Sequence, residues 1–493
     1  MAGRAPHLSA TRPSATRAWL PRLFPVVLFF ISLAPRLVAV GRYITPDELV
    51  WVYRSMQFRE ALLAGRWAGT LVAGHPGVTT TWLGALSMSL QLALAPAARD
   101  AYLWLTKTTA LTPDNVEAFR RLALFLSGGR VAVAVVNSLG VVAVYLLARR
   151  LWPGEESLTQ RRKDAKKNLS FFASLRLCVR FFSLAPAAAL LLALDPFLVG
   201  LSGLFHVDGL SATFVTLALL ALAVALTGRG RPALWLPLAG VATGLAVLSK
   251  SPTLALLPVA GLALLWAALR DDGPWARRTA ALVGRGLLYG LAAAATIFLL
   301  YPALWSGPLA GSLAGPSAVL ATVGGSANRH LDEALRETFF LGRAVFDPGP
   351  LFYPVVLVWR LSPVVWLAAL PGAWLLWRRP PGAWRRPGWF VVGLLLLWAG
   401  LFLVAITPAA KKFDRYILPV VPALLLAAAA IWATWSLRVS ARVSARWARA
   451  VVPVVVGAQA LFWLAYAAYP LTAYNPLAGG GRTAARVLPA GWG

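Results

Sequence analysis

Apolar runs of about 18–25 residues recur along almost the whole chain, split by short basic links, and each is long enough to cross a bilayer. In hydrocarbon the backbone must satisfy its own hydrogen bonds, which such runs do as helices. The chain has 493 residues, 59% of them apolar and 13% charged. That charged share is about half the level usual for soluble domains, and no stretch has a soluble domain's composition. The sequence therefore predicts an all-α polytopic membrane protein. Length and breakers place spans at about 21–40, 121–148, 182–199, 209–227, 233–250, 253–269, 281–302, 354–377, 389–407, 414–437 and 450–468, about eleven in all.

Charge orients them. Residues 1–20 are polar and basic, and no small-residue cleavage site follows the first run, so it reads as a retained span behind a cytoplasmic N-terminal segment. The links Arg149–Arg180, Gly228–Arg231, Arg270–Arg278, Arg378–Arg386 and Arg438–Arg449 are then all inside and all basic, as positive-inside topology requires. The outer side takes a first loop at 41–118, a second at 303–353, each with short surface helices, and a tail at 469–493. The run at 79–97 carries Thr, Ser and Gln and reads as an amphipathic or partly re-entrant surface segment; as a span it would invert everything after it. The net charge of +29 follows from these links and does not call for nucleic acid. A single cysteine, Cys178, excludes an internal disulfide. It lies in a polar, basic block at 157–182 that reads as an insertion in a cytoplasmic loop.

With 18 Asp+Glu against 47 Lys+Arg, the placement of carboxylates is informative. Asp47-Glu48 follow the first span directly. Adjacent helical residues point about 100° apart, so one faces a site and the other supports or caps. Thr45-Pro46-Asp47-Glu48 also has the form of a plain helix start, with Thr as N-cap and Pro at the first position. His206 and Asp208 stand at the outer end of another span, where a carboxylate is either a cap or part of a site. Asp47, Asp208 and His206 share one predicted side and are candidate ligands for a divalent cation, although no HExxH or CxxC motif occurs. His75 lies in the first outer loop. Lys250 and the cluster Lys411, Lys412, Arg415, Tyr416 are outward cations and an aromatic, unexpected on that face unless they meet an anion such as a lipid phosphate. The alternative is interfacial snorkelling.

In this order, these elements resemble the polytopic C-type (GT-C) glycosyltransferases. The likeness is to the dolichyl-phosphate-mannose–protein mannosyltransferase and lipid A aminoarabinose transferase group. The resemblance is carried by Asp47-Glu48 after the first span, His75-Pro76, Asp208, the Gly-rich stretch 240–252 ending Lys250-Ser251-Pro252, and Arg415-Tyr416-Ile417-Leu418-Pro419. It covers about residues 20–440. It implies an inverting transferase that moves a sugar from a polyprenyl- or dolichyl-phosphate donor to an acceptor hydroxyl on the extracytoplasmic side. Asp47 would be the base, with Glu48 and Asp208 beside it. Lys250, Lys411, Lys412, Arg415 and Tyr416 would bind the donor phosphate. His75, His206 and Arg343 would serve the acceptor or support the site. Apart from the resemblance, the 303–353 loop reads either as a mobile cover over the site or as a passive linker. His75 departs from the aminoarabinose enzyme, which has a lysine at that point. The protein mannosyltransferases often carry an added soluble domain that is absent from this sequence. The competing class is a secondary transporter, which calls for internal repeats and mid-membrane charges; the ionisable residues here gather at span ends.

Overall fold

The computed structural model of the chain describes residues 16–38, 40–107, 112, 114–152, 184–307, 314–332, 337–378, 386–440 and 445–489. The basic block at 157–182, with Cys178, lies outside them. The helices are α1 Thr16–Leu37, α2 Pro46–Leu63, α3 Val78–Leu94, α4 Pro96–Leu105, α5 Val116–Leu151, α6 Leu184–Ala193, α7 Pro196–Ser202, α8 Val207–Leu226, α9 Pro232–Ser249, α10 Leu256–Leu269, α11 Trp275–Leu300, α12 Ala314–Asp332, α13 Phe352–Arg360, α14 Pro363–Trp377, α15 Pro387–Ile406, α16 Val421–Ser440, α17 Ala445–Tyr466 and α18 Gly480–Ala484. Short 3₁₀ turns precede α10 at Ser251–Ala255 and α16 at Asp414–Val420.

The protein is thus a polytopic helical membrane protein, but the expected count of about eleven spans is not reached. Among the described residues, seven helices are long and apolar enough to cross a membrane, or up to nine if each of two bent pairs is one span. The pairs are α6–α7, bent by 60°, and α13–α14, bent by 105°. Both breaks fall at a residue before proline, Asp195-Pro196 and Ser362-Pro363, where sterics disfavour helical backbone. The apolar helices Leu23–Leu37 and Ala450–Tyr466 are shorter.

Spans differ sharply in depth. The most apolar windows of α8 and of the Asp414–Val439 span are each 78% buried, against 17% for that of α11, which runs along the outside. Small residues set this: Ala212, Ala218, Ala221, Ala223 and Ala225 line the buried α8. The 79–97 run forms α3, which is not among the candidate spans. It buries Thr79, Thr80 and Thr81 and leaves Leu86, Leu90 and Leu94 exposed.

Among the described residues, both long loops carry regular elements. The second holds α12 and a hairpin of strands Thr338–Phe340 and Arg343–Val345, paired Thr338↔Val345 and Phe340↔Arg343. Leu341 and Gly342 turn it with φ of 50° and 80°, the twist that two-residue hairpin loops favour. The Leu341 N–H donates to the Val487 carbonyl at 2.8 Å, so the hairpin docks on the C-terminal segment. That segment is also held by Arg360, which donates to the carbonyls of Leu471 (2.8 Å) and Ala473 (3.1 Å) and to the Tyr474 hydroxyl (3.0 Å).

Candidate active site

Glu48 and Asp47 begin the same helix and do different things. Glu48 is fully buried. Its Oε2 accepts from the Thr45 N–H (3.0 Å) and hydroxyl (2.9 Å), closing a capping box at the start of α2. Arg130, buried within α5, donates from Nε to Oε1 at 2.7 Å and from a terminal nitrogen to Oε2 at 2.5 Å. The Phe205 N–H adds a bond to Oε1 at 2.9 Å. Every direction around this carboxylate is taken, so Glu48 holds α2 against α5 and the start of α8, and does not face a reactant. An arginine and a glutamate this deep are tolerable because they satisfy each other.

Asp47 remains 42% exposed, and both of its described contacts fall on Oδ2: Arg415 donates at 2.8 Å and His206 Nε2 lies at 3.6 Å. Asp208, fully buried in the first turn of α8, accepts from Lys250 Nζ at 2.6 Å. Its Oδ2 lies 3.2 Å from His206 Nδ1 and 3.7 Å from Arg415 Nε. His206 is the N-cap of α8, its Nδ1 also lying 3.4 Å from the Asp208 N–H. One ring nitrogen cannot both accept there and donate to Oδ2. We assign its proton to the shorter contact with the carboxylate. Arg415 therefore bridges two carboxylates from different elements, and Lys250 extends them into a chain of alternating charges, Asp47–Arg415–Asp208–Lys250. Tyr416 forms the wall under Lys250, whose Nζ lies 4.0 Å from the ring centroid, and Phe413 lies under the Arg415 guanidinium at 4.6 Å.

The ends of the spans bring these residues together. Asp208 opens α8, Lys250 follows α9, and Arg415 opens the Asp414–Val439 span. The first loop is clamped to the same place. Gly77 donates to the Ser249 carbonyl at 3.2 Å, and the Thr79 and Ser249 hydroxyls lie 2.7 Å apart. Gly77 has φ of 58°, and a Cβ there would stand 2.0 Å from Trp51 Cη2. Left-handed backbone costs a side chain roughly 1–2 kcal/mol before any clash. Gly77→Ala should accordingly lower the unfolding midpoint measurably in detergent and displace Trp51. Trp51 packs edge-on between His75 (centroids 5.5 Å apart) and His206 (6.2 Å), so His75 reaches the cluster through an aromatic wall.

Other expected residues sit elsewhere. Buried Lys412 donates to Asp347 Oδ1 at 2.6 Å, which ties the segment after the hairpin to the 411–416 cluster. Lys411 lies 5.9 Å from the Phe413 ring. Arg343 is an exposed strand residue, and among the described residues no contact joins it to the cluster. Asp47, Asp208 and His206 do not form a metal-ligand group, and among the described residues no cluster of three or more His, Cys, Asp or Glu does. Arg415 and His206 meet Asp47 at Oδ2, and Lys250, His206 and Arg415 meet Asp208.

Partial burial alone would raise the Asp347 carboxyl, but Lys412 and the Gly349 N–H hold it below the usual carboxylate range. A depressed folded value means that the pair's contribution is whole above the unfolded value of about 3.9 and fades only as pH falls through the lower folded one. Protection of the 338–350 segment in limited proteolysis should therefore be flat from neutral pH to about pH 5. Asp347→Asn should open it at neutral pH.

The sequence reading missed Arg130, Trp51, Asp347 and the Arg360–Asp414 pair. Arg360 Nε donates to Asp414 Oδ2 at 2.7 Å, fixing the residue next to Arg415.

Residues 171–305 match the family model of dolichyl-phosphate-mannose-protein mannosyltransferases, less than half of the chain but a stretch holding His206, Asp208 and Lys250. No curated protein matches. Among solved structures, apo ArnT from Cupriavidus metallidurans superposes with a TM-score of 0.48 at 17% identity, covering 93% of this chain and 77% of that one. The same protein bound to undecaprenyl phosphate gives 0.47 at 15%, with the same coverage. The oligosaccharyltransferase AglB from Archaeoglobus fulgidus, with an inhibitory peptide and a dolichol-phosphate, gives 0.44 at 12%, covering 92% of this chain and 56% of that one. All three scores are below 0.5, and no functional weight rests on them. Over the matched residues and in the order of its motifs, the chain is similar to the polytopic C-type glycosyltransferases of the dolichyl-phosphate-mannose–protein mannosyltransferase group.

Proposed function

We propose that the protein is a membrane glycosyltransferase that moves a sugar from a polyprenyl- or dolichyl-phosphate donor to an acceptor hydroxyl. The observation that carries this reading is the chain of ion pairs Asp47–Arg415–Asp208–Lys250 at the common end of three spans. A donor with a polyprenyl tail stays in the bilayer, so its phosphate arrives at the height of span ends, where Lys250 and Arg415 stand. In the reaction Asp47 takes the acceptor proton as the acceptor oxygen bonds to the sugar's anomeric carbon. The bond from that carbon to the phosphate oxygen breaks on the opposite face, which inverts the anomeric configuration. The phosphate leaves with the electron pair, and Arg415 and Lys250 stabilise its growing charge. Asp208 keeps both cations in place, and Tyr416 and His206 shape the pocket around them.

By the positive-inside reading, this end of the bundle faces outward, away from the cytoplasm. Two measurements test the proposal. Purified protein in vesicles should release polyprenyl phosphate from at least one polyprenyl-phosphate sugar when an acceptor is supplied. A cysteine placed at exposed Phe346 should react with an impermeant thiol reagent added outside intact cells. No release from any donor across a panel of sugars would sink the transferase. Labelling from the cytoplasmic side alone would sink the orientation.

A further inference from the structure

We infer that the protein carries a second anion site at the opposite end of the same spans, built to hold the phosphodiester of a membrane phospholipid. A cavity of about 300 Å³ lies there, lined by Leu226 and Thr227 at the end of α8, Trp266 and Arg270 at the end of α10, Asp271, Arg285 of α11, and Pro387 and Phe390 of α15. Asp208 opens the helix whose other end, 18 residues on (226 − 208), lines this cavity, so the two sites stand about 27 Å apart along α8. The cavity is separate from the Asp47–Arg415–Asp208–Lys250 cluster.

Its walls fit one chemistry. Trp266 stacks on Phe390 with centroids 4.2 Å apart and planes 22° apart, making a flat apolar floor. The Arg270 guanidinium lies over Trp266 at 4.4 Å, which places its charge beside the cavity it lines. Arg285 stands ten residues into α11 (285 − 275), about 15 Å from its start. It has no carboxylate partner among the described residues. The apolar run of α11 begins near residue 281, so Arg285 stands about one turn inside it, roughly 6 Å from that end of the span, at the level where lipid headgroups lie. Asp271 also lines the cavity, with Oδ1 accepting from the Gly273 N–H at 3.0 Å. Two arginines against one carboxylate leave one net positive charge, which a singly charged phosphodiester neutralises. Beyond Arg285, α11 exposes Leu287, Leu288 and Leu291 to the bilayer, a track for acyl chains hanging from a headgroup held in the cavity. The volume is at the small end for ligand pockets and suits a headgroup, not a whole lipid.

The test is native mass spectrometry of the full-length protein in detergent, titrated with phosphatidylglycerol. One tightly held lipid is expected. Arg270→Gln/Arg285→Gln should weaken it by about tenfold, the loss of charge-assisted bonds to phosphate. Arg277→Gln, at an exposed arginine outside the cavity, should leave it unchanged, as should millimolar inorganic phosphate. Should the double variant fail to fold, Arg285→Gln against Arg285→Lys gives the same contrast: lysine keeps the charge and most of the binding. The inference is overturned if the cavity variants bind like the wild type. It is equally overturned if Arg277→Gln weakens binding as much, which would mean a diffuse basic belt, or if inorganic phosphate competes as well as the lipid.

Discussion

Asp47→Asn is expected to lower sugar transfer from a polyprenyl-phosphate donor by about 10²–10⁴-fold, the range for losing a general base. Asparagine keeps the shape and still accepts from Arg415, but it cannot take the acceptor proton. The thermal unfolding midpoint should hardly move, because the side chain is 42% exposed and its pairing with Arg415 is screened by solvent. Activity and stability are thus expected to separate at this residue. Full activity in the variant would remove Asp47 from the chemistry and leave it as one more first-turn acid at a helix start.

The neighbouring residue should behave in the opposite way. Glu48→Gln leaves Arg130 buried beside a neutral amide, and Arg130→Met leaves the carboxylate without its bidentate partner. Breaking a buried pair from one side costs about 3–5 kcal/mol, which chemical unfolding in detergent can resolve. The double variant Glu48→Gln/Arg130→Met should lose less than the two singles together, because no lone buried charge is left. A loss well under 1 kcal/mol in both singles would mean that the pair does not hold α2 in place. Transfer should fall too, since Asp47 takes its position from the turn that Glu48 closes.

These two residues also show how far the sequence could be read. That neighbouring carboxylates would divide their tasks followed from the 100° turn between them. The partner of Glu48 did not, because Arg130 is 82 residues away and looks like a stray charge in an apolar run. A lone arginine inside a membrane helix was itself the clue, since such a charge requires a partner. The gathering of Asp208, Lys250 and Arg415 was legible from their common place at span ends. The division between Lys411 and Lys412 was not, because two adjacent lysines look alike until Asp347, 65 residues before the second, takes one of them. The count of about eleven spans is not confirmed: each bent pair at Asp195-Pro196 and Ser362-Pro363 has the apolar length of one straight helix and can still be one span, while the described apolar helices Leu23–Leu37 and Ala450–Tyr466 are shorter than a span. Trp51 gave no sign at all: its role depends on a glycine 26 residues later that comes close only in the folded chain.

The clasp that Arg360 makes with Asp414 and with residues 471–474 has a consequence for biosynthesis. Asp47, Glu48 and Arg130 emerge from the ribosome early and can settle together while most of the protein is still unmade. Arg415 comes hundreds of residues later, and the segment that steadies its neighbour comes later still. The pocket therefore matures only once residues 471–474 have been made, and products shortened before them that are otherwise well inserted should be silent in transfer.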